Sequence, residues 1–191
     1  MKDPHKIPQG GEWLPHLARR AVTDHFRGAC PEGTPVTEGY LAGQAGVFVT
    51  IRSRDGQLRG CRGTMEAQHG DLMEETRAVA LTSALQDDRF NPVTAEELDQ
   101  IVFEVSVLHS MESIPSPAML DPAIHGVVVQ TVDGRRAVML PGVEGLDTPE
   151  QQVEATRRKA CIFPGEPVIL KRFQVDTFKE TAGIPETHVI P

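Results

Sequence analysis

The sequence of 191 residues carries a net charge of −8, with 39% hydrophobic and 24% charged residues. This composition is typical of a globular chain that is long enough to bury a sizeable core. The acidic balance argues against a nucleic-acid partner, because phosphates attract a basic face. The sequence has no apolar stretch that could span a membrane, and residues 1–13 lack the apolar run that is typical of a signal peptide, so we predict a cytoplasmic protein without a membrane partner.

The three cysteines, Cys30, Cys61 and Cys161, lie far apart. An odd number without a pairing pattern is not typical of a secreted disulfide framework, which favours a reduced protein. The sequence contains neither a C-x-x-C motif nor the cysteine clusters that hold iron–sulfur centres in radical enzymes. A metal site of Cys61, His125 and Cys161 lacks diagnostic spacing, and glycine-rich phosphate loops are missing. We therefore predict no metal, and the cofactor stays open.

The apolar patterns predict a mixture of helices and strands along the chain. In order, they are a helix over 14–26, strands over 47–53 and 58–63, a helix over 71–86, a short helix over 94–100, a strand over 101–109, two strands around 133–134, a helix over 149–160 and a final strand over 167–176. Asp55-Gly56 and Asp133-Gly134 are hairpin signals, which favour antiparallel pairing. We therefore predict an α+β fold with a mostly antiparallel mixed sheet and flanking helices, and with tails at residues 1–11 and 185–191.

The stretch "LRGCRG" at residues 58–63 is the main candidate site. In a regular strand Arg59 and Cys61 would share one face, where the guanidinium would favour the reactive thiolate. Gly60 and Gly63 would let a substrate or a second chain approach the backbone, and Arg62 would add positive charge. The alternative is a small buried cysteine with glycines at a bulge and arginines paired to acids.

Glu104 is a second candidate, because it interrupts an otherwise apolar strand and buried carboxylates are rare unless they are paired. It could act as a general base, or as a partner of Arg59 or Arg89. Ser106 lies two residues on and could join the same network by hydrogen bonding. A purely structural ion pair is the alternative.

Three further side chains complete the set. Arg89, in "DDRF", could bind an anion, or it could only hold its loop by pairing with Asp87 or Asp88. His125 is the acid/base partner that we nominate for Cys61, although a histidine before glycine is often part of a turn. His69 lies in the loop after the main candidate site, and it too could simply be part of a turn.

Seven segments in register carry a family resemblance: "GVFVTI…DGQLRGCRGT", "DDRFNPVTAEEL", "FEVSVL", "HGVVV", "VMLP", "RRKAC" and "KRFQVDTFKE". Together they resemble the AMMECR-type domain family, whose bacterial and archaeal members are called AmmeMemoRadiSam system protein A. The resemblance covers residues 12–182 as a single domain. It implies an α+β fold of a larger and a smaller lobe, with a cleft between them and the signature "LRGC-apolar-G" on the cleft wall.

Two residues depart from the family pattern. The chain has Arg62 where the family usually has an apolar residue, and Cys161 where it usually has glycine. The resemblance also places Lys159 near the cleft, where it could act as a cation; a favourable charge at the end of its helix is the alternative.

Three functions stay open at this point. The family name implies companions, a Memo-type protein and a radical S-adenosylmethionine enzyme, so the chain could be a partner in their modification pathway. It could instead be a cysteine-dependent enzyme that acts on a small anionic or peptide substrate. It could also be a non-catalytic interaction module.

Overall fold

A computed structural model describes residues 10–29 and 39–181, and the chain divides into two compact units of unequal size. The first unit takes the described residues up to Val107 and those from Asp176 onward, and the second is the continuous segment Leu108–Val175. Cys30 and almost all of the predicted tails lie outside the described residues. At the edge of the first tail, Gly11 is buried against the ring of Phe178.

Three helices and eight strands make up the regular structure of the described residues. The helices are α1 (Leu14–Arg27), α2 (Leu72–Leu85) and α3 (Pro149–Lys159). The strands are β1 (Val47–Ser53), β2 (Leu58–Gly63), β3 (Ile101–Leu108), β4 (Glu112–Ile114), β5 (Gly126–Gln130), β6 (Arg136–Met139), β7 (Ile169–Phe173) and β8 (Val175–Lys179). Short 3₁₀ helices occur at Gly11–Trp13, Tyr40–Ala42, Ala95–Gln100 and Pro117–Met119.

The helix ends follow from local sequence signals. Asp71 caps α2, since its side chain accepts a hydrogen bond of 2.8 Å from the N–H of Glu74. The predicted helix at 94–100 forms as a 3₁₀ helix, and its start carries a capping box of Thr94 and Glu97. Gly28 ends α1 in the left-handed conformation, at φ 63°.

The first unit is a four-stranded sheet in the order β2-β1-β3-β8, covered on one face by α1 and α2. Strand β1 pairs antiparallel with both β2 and β3. Side chains alternate along β3, and Ile101, Phe103, Val105 and Val107 are buried with the helices in one core. Their neighbours in sequence, Glu104 among them, point to the opposite face of the sheet.

The second unit is a four-stranded sheet in the order β4-β7-β5-β6, with α3 against β5 and β6. The pairings of β4 with β7, of β7 with β5 and of β5 with β6 are all antiparallel. A second core forms here, and Val127, Val129, Val153 and Leu170 are among its buried members.

The predicted α+β fold with antiparallel pairing and flanking helices is confirmed, but one element is different. The final strand, predicted over 167–176, is two strands that separate at Gln174, with β7 in the second sheet and β8 in the first. Apolar residues occur on both sides of Gln174 and no glycine or proline separates the two strands, so the change of partner leaves no turn signal in the sequence. Strand β4, which has only three residues, was not predicted. The cleft that the family resemblance implies stays a prediction.

Candidate functional site

The two glycines of β2 make room for atoms of the first unit itself. Strand β2 lies at the edge of its sheet. A Cβ at Gly60 would lie 2.4 Å from the backbone oxygen of Ser83 in α2, and one at Gly63 would lie 2.3 Å from the ring of Phe48. Both glycines therefore allow close packing of strand, helix and ring.

The outer edge of β2 is bound by side chains. The N–H of Cys61 donates to Asp87 at 2.8 Å, and the carbonyl of Cys61 accepts from Arg89 at 3.1 Å. Asp87 and Arg89 bind each other through bonds of 2.9 and 2.7 Å. The pair thus satisfies both backbone groups of Cys61, as a neighbouring strand would. Hydrogen bonds from Arg89 hold the pKa of Asp87 well below its usual range.

The thiol of Cys61 is half-buried and lies 3.4 Å from the hydroxyl of Thr50 on β1. The Arg89 guanidinium also interacts electrostatically with this thiol. The hydrogen bonds to Asp87 are the main cause of the raised pKa of Arg89, and the charge of Cys61 is a smaller cause. The side chain of Arg89 is 54% exposed, so its charge remains accessible to solvent beside Cys61. The structure therefore brings together Cys61 and Arg89, which the sequence analysis considered separately.

Arg59 is not placed by a regular strand. The register between β1 and β2 shifts at Ile51/Arg52, and this irregularity falls at Arg59. The assumption of a regular strand was therefore wrong. The guanidinium of Arg59 binds both carboxylate oxygens of Glu97, at 2.8 and 3.0 Å, and the carbonyl of Asn91 at 2.8 Å. Arg59 thus ties β2 to the loop that follows "DDRF".

Arg62 is also engaged within the first unit. Its guanidinium donates to the carbonyl of Gln86 at 2.8 Å and lies 3.6 Å from Asp88. Its N–H donates to the buried hydroxyl of Ser83, which in turn donates to the carbonyl of Val49. Ser83 therefore joins α2 to both strands of the hairpin.

Glu104 lies in one row with Thr50 and Cys61. Thr50 is the register partner of Cys61 on β2 and of Glu104 on β3, so the three side chains are neighbours on the sheet face opposite the helices. We call these three residues the polar row. The carboxylate of Glu104 is paired at 3.1 Å with Lys179 on β8, and not with Arg59 or Arg89 as considered above.

Ser106 lies one step along the same face. Its hydroxyl is 3.1 Å from that of Thr177 on β8. Ser106 is buried, whereas Thr177 is exposed. The prediction that Ser106 joins a hydrogen-bond network is consistent with this contact, although its partner is not Glu104.

His125 and Lys159 belong to the second unit. The Nδ1 atom of His125 accepts a hydrogen bond of 3.0 Å from the N–H of Asp121, so the ring takes part in a turn. Burial and the nearby charge of Arg172 lower the pKa of His125. Lys159 donates to the carbonyl of Val138 on β6 at 3.1 Å.

Cys161, the departure from the family's usual glycine, follows α3 in the left-handed conformation at φ 55°. Glycine adopts this conformation without strain, which explains why it suits the position. The thiol of Cys161 is exposed.

Several residues of the site were missed by the sequence analysis. Thr50 and Ser83 gave no signal, since both fall inside ordinary apolar patterns. Asp87 was considered only as a loop partner of Arg89, and Glu97 was not named as a site residue. A second polar cluster, between His69 and Glu75, was not anticipated either.

Within residues 10–29 and 39–181, no three histidine, cysteine or acidic side chains are grouped so that they could hold a metal ion. In the same part of the chain, every helix is too short or too polar to cross a bilayer.

The comparisons with known proteins define the family. The AMMECR1 family model matches residues 15–182, and the chain belongs to this family. A protein of Thermotoga maritima is 41% identical over 146 residues, which cover 75% of this chain and 83% of that protein. Protein CA_C1420 of Clostridium acetobutylicum is 36% identical over 168 residues, and the match spans 86% of this chain but only 35% of that protein.

A solved structure has the same fold. The crystal structure of the uncharacterized protein PH0010 from Pyrococcus horikoshii superposes with a TM-score of 0.81 and is 31% identical in sequence. The similarity covers 91% of this chain and 92% of that one.

Proposed function

We propose that the polar row binds a carboxylate group, carried either by a small ligand or by a segment of another protein. We also propose that the chain is a non-catalytic partner in a modification pathway. In that pathway a radical S-adenosylmethionine enzyme would perform the radical chemistry and a Memo-type protein would be the other companion. The family to which the chain belongs motivates these companions. The observation that carries the binding proposal is the row itself, in which a thiol, a hydroxyl and a carboxylate lie side by side on three strands.

The charges at the two ends of the row define the ligand chemistry. Arg89 lies beside Cys61 at one end, and Lys179, 74% exposed, pairs with Glu104 at the other. Each cation is paired with a carboxylate, Arg89 with Asp87 and Lys179 with Glu104, but both stay accessible to solvent, so they suit a ligand with a carboxylate and a hydrogen-bond donor. Thr50 between them is buried, and its hydroxyl, which can both donate and accept a hydrogen bond, links the row by its contact with the Cys61 thiol at 3.4 Å.

The backbone under the row is held rigidly, which favours recognition. Asp87 and Arg89 fix both backbone groups of Cys61, and Ser83 fixes the neighbouring peptide of Arg62. Side chains on a fixed strand lose little further freedom when a ligand binds, so more of the interaction energy appears as affinity.

The binding proposal is tested by measuring association with the two candidate partner proteins, purified from the same organism, by analytical ultracentrifugation. We expect a complex with the wild-type chain and about tenfold weaker association for Thr50→Val and Glu104→Gln, the range expected for central contact residues. Glu112→Gln is the matched control, because Glu112 is also a strand carboxylate paired to a cation, Arg172, but lies in the second unit. Association that is absent, or equal in all variants, contradicts the proposal.

A cysteine-dependent enzyme is the second candidate, and the position of the Arg89 guanidinium beside the half-buried thiol favours it. A cation next to a thiol promotes the thiolate, which is the nucleophilic form. The labelling rate of Cys61 by iodoacetamide against pH, followed by peptide mass spectrometry, tests this candidate, with the exposed Cys161 as the internal reference.

The two candidates predict different labelling results. An enzyme requires that Cys61 labels faster than Cys161 at neutral pH and slows in Arg89→Gln but not in Arg62→Gln. Slow labelling of Cys61 at every pH would leave the thiol as a binding or packing group and remove the enzyme candidate.

A further inference from the structure

A second polar cluster in the first unit surrounds the fully buried carboxylate of Glu75 in α2. This carboxylate accepts hydrogen bonds from the Thr64 hydroxyl at 2.5 Å, from the N–H of Gln68 at 2.8 Å and from the N–H of His69 at 2.9 Å. The Nδ1 atom of the His69 ring lies 2.8 Å from the same carboxylate. Burial alone would raise the pKa of Glu75, but these hydrogen bonds outweigh it and lower the pKa.

The charge on Glu75 determines which nitrogen of His69 carries the proton. An ionised carboxylate can only accept hydrogen bonds, so Nδ1 of His69 must be the donor. In the neutral ring the lone pair is then on Nε2, the nitrogen on the edge away from Glu75. The His69 side chain is 40% exposed whereas that of Glu75 is 1% exposed, so the exposed part of the pair is the imidazole.

His125, in the second unit, has the opposite arrangement. A backbone N–H can only donate, so the contact from Asp121 to Nδ1 requires a lone pair on Nδ1 of His125. The neutral ring of His125 therefore carries its proton on Nε2 and can donate there. The two rings therefore differ in their lone pairs, since that of His125 already accepts from Asp121, whereas that of His69 is on Nε2, away from Glu75.

We propose that His69, oriented by Glu75, is a proton-accepting site for a ligand that carries a hydroxyl or a thiol and binds at the loop of residues 64–70. In the step, the S–H bond of a thiol ligand breaks and its proton forms a new bond with Nε2, which leaves a thiolate on the ligand; a hydroxyl ligand donates a hydrogen bond to the same lone pair and keeps its O–H bond. The imidazolium that results is stabilised by the negative charge of Glu75 at Nδ1. Glu75 is a positioning residue, and the site is separate from the polar row.

The alternative is that Glu75 only anchors the loop, because Thr64 also accepts from the N–H of Val47 at the start of β1. A structural anchor and a base differ in the reactivity of Nε2. The probe is diethyl pyrocarbonate, whose carbonyl carbon is attacked by an imidazole lone pair, with the expulsion of ethyl carbonate. Its reaction at each histidine of the full chain is followed by peptide mass spectrometry, beside a histidine-containing reference peptide at the same pH.

We expect His69 to react faster than the reference peptide and His125 to react more slowly. Glu75→Gln keeps the size and an accepting oxygen but removes the charge. In metal sites the loss of the carboxylate behind a histidine costs about 10–100-fold, and we expect the His69 rate to fall about tenfold. Long-range ¹H–¹⁵N correlation spectra of the wild-type chain give the tautomers directly, with protons expected on Nδ1 of His69 and on Nε2 of His125.

Three results would overturn the proposal. They are a proton on Nε2 of neutral His69, a His69 rate no higher than that of the peptide, or a rate in Glu75→Gln that is unchanged or increased. An increase would show that the carboxylate only holds the loop closed over the ring. If Glu75→Gln does not fold, the tautomer and the rate ratio of the wild-type chain decide the question.

Discussion

The pair of Asp87 and Arg89 makes the sharpest prediction for the first unit. We expect Asp87→Ala to destabilise this unit far more than the same change at Asp88, the next residue. The carboxylate of Asp87 is buried and accepts from the N–H of Cys61 and from Arg89. Asp88 is 91% exposed and only lies near Arg62, at 3.6 Å.

The magnitude follows from the groups that lose a partner. Removal of Asp87 leaves the N–H of Cys61 unsatisfied, at a cost of about 1–3 kcal/mol. It also frees Arg89, but that side chain is half-exposed and can regain water, so the full cost of about 3–5 kcal/mol for a broken buried pair does not apply. We therefore expect the free energy of unfolding to fall by about 2–4 kcal/mol for Asp87→Ala, and by less than about 0.5 kcal/mol for Asp88→Ala.

The assay is urea unfolding followed by tryptophan fluorescence. Trp13 is the single tryptophan of the chain and belongs to the first unit, so the signal reports on the unit that carries the mutation. Equal slopes with denaturant for the wild type and both variants would show that the change is in stability and not in cooperativity.

The pH dependence gives a second readout. Because the folded pKa of Asp87 is below its usual value of 3.8, its contribution is fully present above that pH and is lost as the pH falls further. Asp87→Asn should therefore lose less stability than the wild type between neutral pH and the acid range. A loss below about 1 kcal/mol for Asp87→Ala, or one equal to that of Asp88→Ala, would refute the account of the β2 edge.

Three further predictions concern single positions. Gly60→Ala should lower the free energy of unfolding in the urea assay by more than about 2 kcal/mol, because the new Cβ would lie 2.4 Å from the backbone oxygen of Ser83. A decrease below about 0.5 kcal/mol would contradict that contact. Cys161→Gly should raise the midpoint of thermal unfolding by relieving the left-handed strain at φ 55°, a net gain of about 0.5–1 kcal/mol, whereas Cys161→Ala, which keeps a Cβ, should give none. The NMR titration of His125 should have its midpoint below 6.5, because burial of the ring and the nearby charge of Arg172 lower its pKa. Stability should then fall as the pH drops below that value, since the unfolded chain binds the proton more readily, and a midpoint above 6.5 would contradict this account of the ring's surroundings.

The parts of the fold that could be predicted are those with local causes. The cap at Asp71, the capping box at Thr94 and the hairpin at Gly56 each involve residues within four positions of one another. The burial of alternate residues in β3 depends only on strand geometry and on which face is apolar.

The arrangement of the site could not be predicted in the same way, because its contacts join distant parts of the chain. Arg89 reaches Cys61 across 28 positions, and the partner of Glu104 is Lys179 on the last strand. The irregular register at Arg59 also changed which residues share a face. The neighbouring Gly60 made a bulge one of the two interpretations of this stretch, but the sequence could not decide between them.

The return of the chain to the first sheet has a consequence for synthesis on the ribosome. Strand β8 lies next to β3, yet all of Leu108–Val175 is made between them. The second unit is one uninterrupted segment and can form its own core while the first sheet still lacks its fourth strand. Until residues 176–180 emerge, Arg19 in α1 has no Glu180 to bind and β3 has an open edge. A chain that ends at Val175 should therefore be cut by protease first in the earlier-made half, which inverts the usual order of folding from the N-terminus.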